Sequence, residues 1–367
     1  MKTKTLLSIL VLFAAINSFA QVATPQKITL LFAGDVMMHD SQLAAAKQPN
    51  ADAYNFEPAF ALIKPLIEKY DLAFANLETT LGIKPYKGYP NFSSPPQLAV
   101  ELQRTGFDVL VTANNHSVDK LGKGIDKTIE VLDSLGIPHT GTFINPAVRD
   151  TTYPLLIEHN GFRLALLNYT YGTNGIAIPA PRVVNLIDTL QIQADIDKAI
   201  KLAPDMVIAM MHWGDEYKES PNTVQQKLAT MMTQRGVNLV IGSHPHVLQP
   251  MTWTRDSIQN HLVVYSLGNF ISGQRTIPRD GAAVVGVELT KTLNNCEISD
   301  VHYHLTYVHY PVIGGIRHFM VVPVSLVETT PEMPAPGGAG WGRLWNYAVG
   351  ARAVMKKNIN VPEKIND

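Results

Sequence analysis

Five short clusters in the chain combine carboxylates, side-chain amides and imidazoles, the groups with which proteins bind divalent metal ions. They are Gly34-Asp35-Val36-Met37-Met38-His39, Asn76-Leu77-Glu78, Asn114-Asn115-His116, His212-Trp213-Gly214-Asp215-Glu216-Tyr217 and Gly242-Ser243-His244-Pro245-His246. Such a hard-to-borderline ligand set favours Mn, Zn or Fe over Ca or Cu(I). Two divalent ions that share a carboxylate lower the pKa of bound water and so supply a nucleophile near neutral pH. The residue types therefore predict a site for two divalent metal ions with a hydrolytic chemistry.

The composition also limits which residue types can bind a metal ion and which binding partners are expected. The single cysteine, Cys296, excludes an internal disulfide and a Cys-based zinc cluster, so we expect His, Asp, Glu or Asn ligands. The 30 basic and 31 acidic residues nearly cancel and form no long blocks. This pattern gives no electrostatic footprint for nucleic acid or for an anionic membrane, and neither is expected as a partner.

Each cluster directly follows a short apolar run that is typical of a buried strand. These runs occupy residues 28–33, 72–75, 109–112, 206–211 and 239–241, and two further runs occupy 164–168 and 262–265. Active sites of α/β sheets collect outside the carboxyl ends of the strands, so five loops direct polar groups to one rim. A lone buried His or Asp is usually structural, and Gly-Asp is a common turn. Five clusters at corresponding strand ends favour a site.

Helical stripes separate the strands and complete an α/β pattern. Apolar residues recur at helical spacing over 125–135, 192–200 and 224–232, and the first and last stripes stop at Gly136 and Gly236. From residue 283 the pattern becomes β-rich, which predicts antiparallel strands that complete a second sheet, followed by a peripheral helix over 345–355. The expected domain covers residues 27–325, with a C-terminal extension over 326–367.

The first twenty residues predict a secretory signal peptide. Lys2 and Lys4 precede an apolar run over residues 6–16 that is too short to span a membrane, and small residues follow at Ser18 and Ala20. We expect cleavage before Gln21. The mature protein is then exported, periplasmic or secreted, without a stable membrane anchor.

The motifs together resemble the CapA family of poly-gamma-glutamate capsule biosynthesis proteins. The resemblance covers roughly residues 28–290. The motifs that carry it are Gly34-Asp35-Val36-Met37, Ala75-Asn76-Leu77-Glu78-Thr79, Ala113-Asn114-Asn115-His116, His212 to Tyr217, Gly242 to Gln249, and Ser266-Leu267-Gly268-Asn269-Phe270. The family is similar to calcineurin-like metallophosphoesterases, which implies a layered sandwich of two β-sheets flanked by helices.

The resemblance also implies the roles of the site residues. It assigns Asp35 and His246 to the first metal ion, Asn115, His212 and His244 to the second, and Glu78 to the bridging position, where the superfamily has Asp. His116 falls where the superfamily has its general acid. The first motif departs from the superfamily because Met37 stands at the place of a second His, which leaves His39 as a displaced substitute.

Several assignments stay open at this stage. His116 either acts as acid, base or oxyanion contact, or simply donates a hydrogen bond to a backbone carbonyl. Trp213, with Glu216 and Tyr217 behind it, either contacts substrate or orients ligands, and Trp213 equally fits a core or rim aromatic. Asn76 and Asn269 are further candidates for metal, substrate or supporting hydrogen bonds. His302 and His304 share one strand face, which we expect to be exposed.

Two functions follow from these features. The first is an exported hydrolase or transferase that acts on an anionic, capsule-type polymer such as poly-gamma-glutamate, on a peptide, or on a phosphoester. The second is a noncatalytic accessory protein that binds polymer or scaffolds capsule synthesis. Structural metal sites are closed by protein ligands whereas catalytic ones keep a position for water, and the ligand count favours the enzyme.

Overall fold

Two β-sheets form the centre of the fold in the computed structural model, which describes residues 25–365 apart from 50, 257, 294 and 339. The strands are β1 (Gln26–Val36), β2 (Leu72–Leu77), β3 (Thr80–Leu81), β4 (Ser93–Ser94), β5 (Val109–Val111), β6 (His139–Thr140), β7 (Thr142–Phe143), β8 (Leu155–His159), β9 (Phe162–Thr170), β10 (Val183–Val184), β11 (Met206–His212), β12 (Leu239–Ser243), β13 (Leu248–Arg255), β14 (Asn260–Leu267), β15 (Gly281–Lys291), β16 (Cys296–His309), β17 (Val312–Ile313), β18 (Ile316–Arg317) and β19 (Met320–Pro323).

Helices cover the outer faces of both sheets. They are α1 (Asp40–Ala46), α2 (Glu57–Phe60), α3 (Lys64–Ile67), α4 (Gln97–Thr105), α5 (Leu121–Ser134), α6 (Pro146–Thr152), α7 (Thr189–Lys201), α8 (Thr223–Gln234), α9 (Val324–Thr329) and α10 (Gly342–Met355), with one 3-10 turn at Pro336–Gly338. The three predicted helical stripes correspond to α5, α7 and α8. The predicted end signals are confirmed, because Gly136 and Gly236 adopt positive φ angles of 64° and 103° directly after α5 and α8.

Each large sheet combines a block of four parallel strands with antiparallel strands, which join one side of the first sheet and both edges of the second. The first sheet has the order β19-β16-β15-β1-β2-β5-β6, in which β1, β2, β5 and β6 are parallel. The second has the order β13-β14-β12-β11-β9-β8, in which β14, β12, β11 and β9 are parallel. All seven strands that the apolar runs predicted are present, namely β1, β2, β5, β9, β11, β12 and β14. The predicted layered α/β sandwich is therefore confirmed.

The core follows from the alternation of side chains along each strand. On β1, Leu30 and Phe32 belong to the cluster between the two sheets, whereas Leu31 and Ala33 belong to the cluster beneath the helices of the first sheet. These strands are apolar on both faces because both faces are covered. This explains why they read as continuous apolar runs in the sequence.

The β-rich tail corrects one expectation. Its strands β15, β16 and β19 do not complete the second sheet; they extend the first, because β15 pairs with β1 in antiparallel register. The predicted C-terminal helix is present as α10. It is not peripheral, because Leu344, Tyr347 and Ala351 are buried in the core between the sheets.

Two expectations about the ends of the chain remain predictions. The signal peptide at residues 1–20 lies outside the described residues, and the domain bounds are not tested by the fold. Within residues 25–365, leaving out the four gaps, no helix has the length and apolar character needed to cross a membrane.

Gly34 allows the backbone of the first sheet to lie close to the backbone of the second sheet. A Cβ atom on Gly34 of β1 would lie 2.1 Å from the carbonyl oxygen of Gly268, which follows β14. That same oxygen accepts a hydrogen bond of 3.1 Å from the backbone nitrogen of Asp35. The first sheet is thus fastened to the second beside Asp35, and any side chain larger than hydrogen at position 34 would separate them.

We predict that Gly34→Ala lowers the free energy of unfolding by roughly 2–3 kcal/mol, because the new methyl group meets backbone atoms that have no room to move. Gly350→Ala is the matched control, since a Cβ atom there meets nothing within 4 Å inside α10. It should stabilise the protein by about 0.5–1 kcal/mol. Urea unfolding of both variants measures the difference, and equal midpoints would contradict the close approach at Gly34.

Candidate metal centre

The predicted ligands meet at the carboxyl ends of the parallel strands of both sheets. The first sheet supplies the carboxylates and amides: Asp35 near the end of β1, Asn76 and Glu78 at the end of β2, and Asn115 after β5. The second sheet supplies the imidazoles: His212 ends β11, while His244 and His246 follow β12. All seven residues are buried. The site therefore lies at the junction of the sheets, and neither sheet forms it alone.

Asp35 is fixed by hydrogen bonds from both sheets. Its Oδ1 atom accepts a bond of 2.8 Å from Nδ2 of Asn76, and its Oδ2 atom lies 3.2 Å from Nδ1 of His246 and 3.3 Å from the backbone nitrogen of His244. Burial opposes ionisation of this carboxyl, but the hydrogen bond and the charge of His246 outweigh it and hold its pKa well below the usual range. Asn114 donates to Oδ1 of Asn76 at 3.2 Å and so fixes the amide.

Glu78 has the opposite environment. Both of its carboxylate oxygens are buried and neither makes a hydrogen bond within the part of the chain that the structure describes. Its Oε1 atom lies 3.6 Å from Nε2 of His212 and 4.0 Å from Nε2 of His246. Burial, together with the negative charge of Asp35, raises the pKa of Glu78 well above its usual value. Two buried oxygens without hydrogen-bond partners lower the stability of a native protein, and a cation bound to them would remove that cost.

The ligand atoms form two overlapping groups of the size that a metal ion needs. Glu78, His244 and His246 make one group, and Asp35, Glu78 and His212 make the other, with all atoms in each group within 4.8 Å of one another. Glu78 is common to both. This arrangement fits the predicted pair of divalent ions with Glu78 between them, although the assignment of each imidazole to one ion stays a prediction.

The imidazoles are in the state that metal binding requires. Burial, with the neighbouring charge of His244, lowers the pKa of His212 well below its usual value, and burial with the charge of His246 lowers that of His244 to about 3. Both rings are therefore neutral at pH 7 and keep a nitrogen lone pair for a ligand bond. Nδ1 of His244 is buried and has no hydrogen-bond partner among the described residues.

Asn115 and His212 are held in contact by a short chain of polar groups. Nε2 of His212 lies 2.7 Å from Oδ1 of Asn115, and Nδ1 of the same ring lies 3.1 Å from Oγ of Ser243. The amide of Asn115 in turn donates to Oδ1 of Asn174 at 3.1 Å. Both predicted second-metal ligands thus have their orientation set by neighbours, as metal-binding side chains usually do.

Backbone strain marks the loop after β12. His244 and His246 adopt positive φ angles of 98° and 59°, and Tyr217 in the facing loop adopts 65°. Such conformations cost a non-glycine residue about 1–3 kcal/mol and persist only where the surroundings impose them. The backbone nitrogen of Tyr217 donates to the carbonyl oxygen of Pro245 at 2.8 Å, which fastens the two strained loops together.

His116 is paired with a carboxylate that the sequence analysis did not identify. Nδ1 of His116 lies 2.7 Å from Oδ2 of Asp119, and both side chains are buried. The same oxygen accepts a hydrogen bond of 2.6 Å from the backbone nitrogen of Phe92, whose ring contacts that of His116 edge to face at 4.6 Å. The spacing His-x-x-Asp in the sequence could have indicated this pair. The ring is oriented by a carboxylate and not by a backbone carbonyl.

His39 is not part of either ligand group. Its Nδ1 atom accepts a hydrogen bond of 3.0 Å from the backbone nitrogen of Gly273, and its ring contacts Phe92 at 5.1 Å. Burial lowers its pKa to about 4. In the described structure this residue contacts the loop after β14, and its role as a displaced substitute for the His that the superfamily has in place of Met37 stays a prediction.

The remaining candidates divide between core and rim. Trp213 is a core residue, since its ring is buried beneath the helices of the second sheet and its Nε1 donates to the carbonyl oxygen of Tyr265 at 2.9 Å. Asn269 is also buried, and its amide donates to the carbonyl oxygen of Arg279 at 2.9 Å. Glu216 and Tyr217 are exposed at the rim, where the ring of Tyr217 lies 6.0 Å from that of His246.

Two further observations complete the comparison with the sequence. The face of His302 and His304 is not exposed, because both Nε2 atoms contact the hydroxyl of Tyr70, at 2.7 and 3.1 Å, and His304 is buried. Tyr171, which the sequence analysis missed, places its ring 4.4 Å from that of His244 and is 46% exposed. Like the predicted ligands it follows a parallel strand, β9, and that position was the available signal.

The sequence matches a known family and two of its curated members over most of the chain. Residues 29–274 match the family described as Bacterial capsule synthesis protein PGA_cap. The chain is 28% identical over 321 residues to the capsule biosynthesis protein CapA of Bacillus anthracis, an alignment that covers 84% of this chain and 69% of that one. It is 27% identical over 310 residues to the PGA biosynthesis protein CapA of Bacillus subtilis (strain 168), covering 82% and 72%.

Alignments with solved structures are weaker. The calcineurin-like phosphoesterase YfkN from Bacillus subtilis aligns with a TM-score of 0.45 at 13% identity, over 89% of this chain and 99% of that chain. A novel phosphatase from Mycoplasma pneumoniae aligns with a TM-score of 0.44 at 14% identity, over 77% and 94%.

We predict that Glu78→Gln removes metal binding without destabilising the metal-free protein. The amide resembles the neutral carboxyl that the raised pKa favours, so the metal-free variant should unfold at or above the wild-type temperature. Mn or Zn at 100 times the dissociation constant stabilises wild type by about 2.7 kcal/mol. Calorimetric melting of both proteins with and without metal tests this, with the exposed Glu130→Gln on α5 as control. A variant that keeps the full metal-induced shift would show that Glu78 is not a ligand.

Metal binding should also release a proton and strengthen as the pH rises. The pKa of Glu78 is raised in the metal-free protein, so a binding cation must displace its proton, and the affinity grows until Glu78 is ionised without metal. The lowered pKa values of His212 and His244 keep these rings neutral over the same range. Titration calorimetry in buffers of different ionisation enthalpy measures the proton. An affinity that falls between pH 6 and 8 would contradict the assignment.

Proposed function

The chain belongs to the Bacterial capsule synthesis protein PGA_cap family, as its motifs predicted, and from this premise we propose that it is an exported, metal-dependent hydrolase or transferase. Its substrate is a carboxylate-bearing, capsule-type polymer, with a phosphoester as the alternative substrate class. The observation that carries the proposal is the pair of unpartnered, buried oxygens of Glu78 between Asp35 and the imidazoles of the second sheet.

The ligand set determines what kind of chemistry the site supports. Asp35, Glu78, Asn115, His212, His244 and His246 would hold two divalent ions. When bound, such ions polarise a carbonyl or phosphoryl oxygen and supply an activated water. The carboxylates, the amide and the imidazoles provide oxygen and nitrogen atoms only, which supports Mn, Zn or Fe as the ions.

His116 is the proton donor in this proposal. Asp119 accepts a hydrogen bond from Nδ1–H of the His116 ring. This bond fixes the ring and leaves Nε2 as the atom that exchanges a proton with substrate. Phe92 contacts the ring edge to face and donates its backbone N–H to Asp119, so the pair has one defined orientation.

Two exposed tyrosines, Tyr171 and Tyr217, lie at the rim beside the candidate ligands. These two side chains are 46% and 45% exposed, and their rings flank His244 and His246. The buried ligands and exposed aromatic rim resemble an open site more than a closed structural one. This is why we favour an enzyme over an accessory protein that uses metal only for its fold.

The substrate class rests on the relatives and on the sequence. Two relatives carry the names capsule biosynthesis protein CapA and PGA biosynthesis protein CapA. Export follows from the basic residues and apolar run at the start of the chain, which predict cleavage before Gln21. A chain outside the cytoplasm would meet its polymer there.

We predict that His116→Asn lowers kcat by about 10²–10⁴ while the metal-induced rise in melting temperature persists, because a lost proton donor leaves the ligands intact. Asp119→Asn should lower kcat less, since Asp119 acts by positioning His116. The assay uses a panel of phosphoesters and gamma-glutamyl peptides with Mn or Zn, and His159→Asn on β8 is the control.

Two outcomes would overturn parts of this proposal. If the His116→Asn protein loses its metal-induced stabilisation, His116 is a ligand and the acid has been misassigned. If wild type binds metal and polymer but turns over no member of the panel, the protein is the noncatalytic accessory and not the enzyme.

A further inference from the structure

A cleft of about 420 Å³ lies beyond the loop that follows β14 and outside the candidate metal centre. We call it the arginine cleft. Its walls are the end of β16, the β17–β18 hairpin, the glycine-rich segment before α10 and the start of α10; the lining residues used below are Tyr307, His309, Tyr310, Arg317 and Arg343. Its volume falls within the range of roughly 300–1,000 Å³ that is typical of ligand sites.

The arginine cleft is cationic. The guanidinium groups of Arg317 and Arg343 lie 5.8 and 5.0 Å from the centre of the Tyr310 ring, and none of the described residues that line the cleft is acidic. Among the described residues Arg317 has no carboxylate within ion-pair distance. The one carboxylate near Arg343 is Asp280, 3.7 Å away and fully buried, whereas the arginine side chain is 57% exposed. Its outer face is therefore available to an anion.

A single loop connects the arginine cleft with the metal centre. The carbonyl oxygen of Arg275 accepts hydrogen bonds of 2.9 Å from both the Tyr310 hydroxyl and Nη2 of Arg343. A tight turn follows, in which the backbone nitrogen of Arg279 donates to the carbonyl oxygen of Thr276 at 2.7 Å. Arg279 at the rim, and Arg343 and Arg317 at the cleft, thus form a row whose two parts this loop connects.

The near end of this row touches the candidate active site. The guanidinium of Arg279 lies 4.5 Å from the centre of the Tyr217 ring, and that ring lies 6.0 Å from the ring of His246. Asn269, whose amide donates to the carbonyl oxygen of Arg279, anchors the loop from beneath. An extended anion lying along the arginines would therefore reach the metal centre.

We propose that the arginine cleft is a second binding site, which holds a carboxylate-bearing polymer chain while another segment of the same chain lies at the metal centre. The proposal rests on the proposed function, because it supplies a grip for the polymer on which that function acts. Guanidinium groups bind planar carboxylates with two parallel hydrogen bonds, and a row of them matches a chain with one carboxylate in each repeat.

The chemistry of the cleft favours such a chain over a nucleic acid. Nucleobases need open aromatic faces on which to stack, and here Arg317 and Arg343 both lie over the ring of Tyr310. The charge is also confined to a few arginines in a chain whose net charge is −1, which does not resemble the broad basic surface of nucleic-acid-binding proteins.

The test measures binding, so it does not depend on turnover. Fluorescein-labelled gamma-linked glutamate oligomers, a trimer and a dodecamer, are titrated with the metal-loaded full chain and followed by anisotropy. We expect the dodecamer to bind more tightly than the trimer. The double variant Arg317→Gln/Arg343→Gln should weaken dodecamer binding by about tenfold, from two exposed charge contacts, and leave trimer binding nearly unchanged.

The control is Arg255→Gln, because Arg255 also lies over an aromatic ring, Trp253 at 5.3 Å, at the end of β13, and is not among the residues that line the arginine cleft. It should bind the dodecamer as wild type does. If the double variant misfolds, as judged by its melting temperature, Arg317→Glu alone replaces it, since Arg317 donates to only one backbone oxygen, that of Tyr310.

Failure of this inference is distinguishable from failure of the proposed function. Equal dodecamer affinity in wild type and double variant overturns the second site, whatever the activity. Stronger competition by polyphosphate than by unlabelled polyglutamate of equal charge overturns the carboxylate assignment. Turnover of a small ester substrate should be the same in wild type and double variant, and its absence from wild type would concern the metal centre and not the arginine cleft.

Discussion

Two carboxyl groups buried side by side at the junction of two sheets are the constraint on which the structure depends. Asp35 and Glu78 are fully buried and have ligand atoms within 4.8 Å of each other. Like charges at such a distance in a low-dielectric site cannot both ionise without compensation. Asp35 is compensated by Asn76 and His246, and Glu78 is not. The fold therefore buries a pair of carboxyl groups that a cation would complete, with the imidazoles of His212, His244 and His246 directed at it from the opposite sheet.

Both sheets contribute residues to this candidate metal centre. The first contributes oxygen ligands at the ends of β1, β2 and β5, and the second contributes nitrogen ligands at the ends of β11 and β12. Gly34 lets the backbones meet beside Asp35, while the strained residues His244 and His246 turn their rings toward the first sheet. A change in how the sheets pack would thus alter the distances between oxygen and nitrogen ligands. The stability of the sandwich and the geometry of the site therefore depend on the same contacts between the sheets.

The strands and polar clusters that depend on local sequence pattern were predictable from the sequence. Buried parallel strands are continuous apolar runs, and polar residues directly after them share one edge of a sheet, so the clusters at Asp35, Glu78 and His244 were identifiable. Contacts between distant segments were not. The Asp119 partner of His116 had a spacing signal, but the pairing of β15 with β1 had none, because antiparallel edge strands fit either sheet equally well from their pattern. The burial of His304 likewise depends on Tyr70, which is far away in sequence.

A two-ion centre at Glu78 can be tested with crystals grown with Mn or Zn, through anomalous diffraction at the metal absorption edge. We expect two peaks about 3.5–4 Å apart, both within bonding distance of Glu78, with Asp35 and the three imidazoles around them. One peak beside Glu78 would contradict the two-ion site. Peaks elsewhere, or none within bonding distance of Glu78 at full metal occupancy of the crystal, would contradict the metal centre itself.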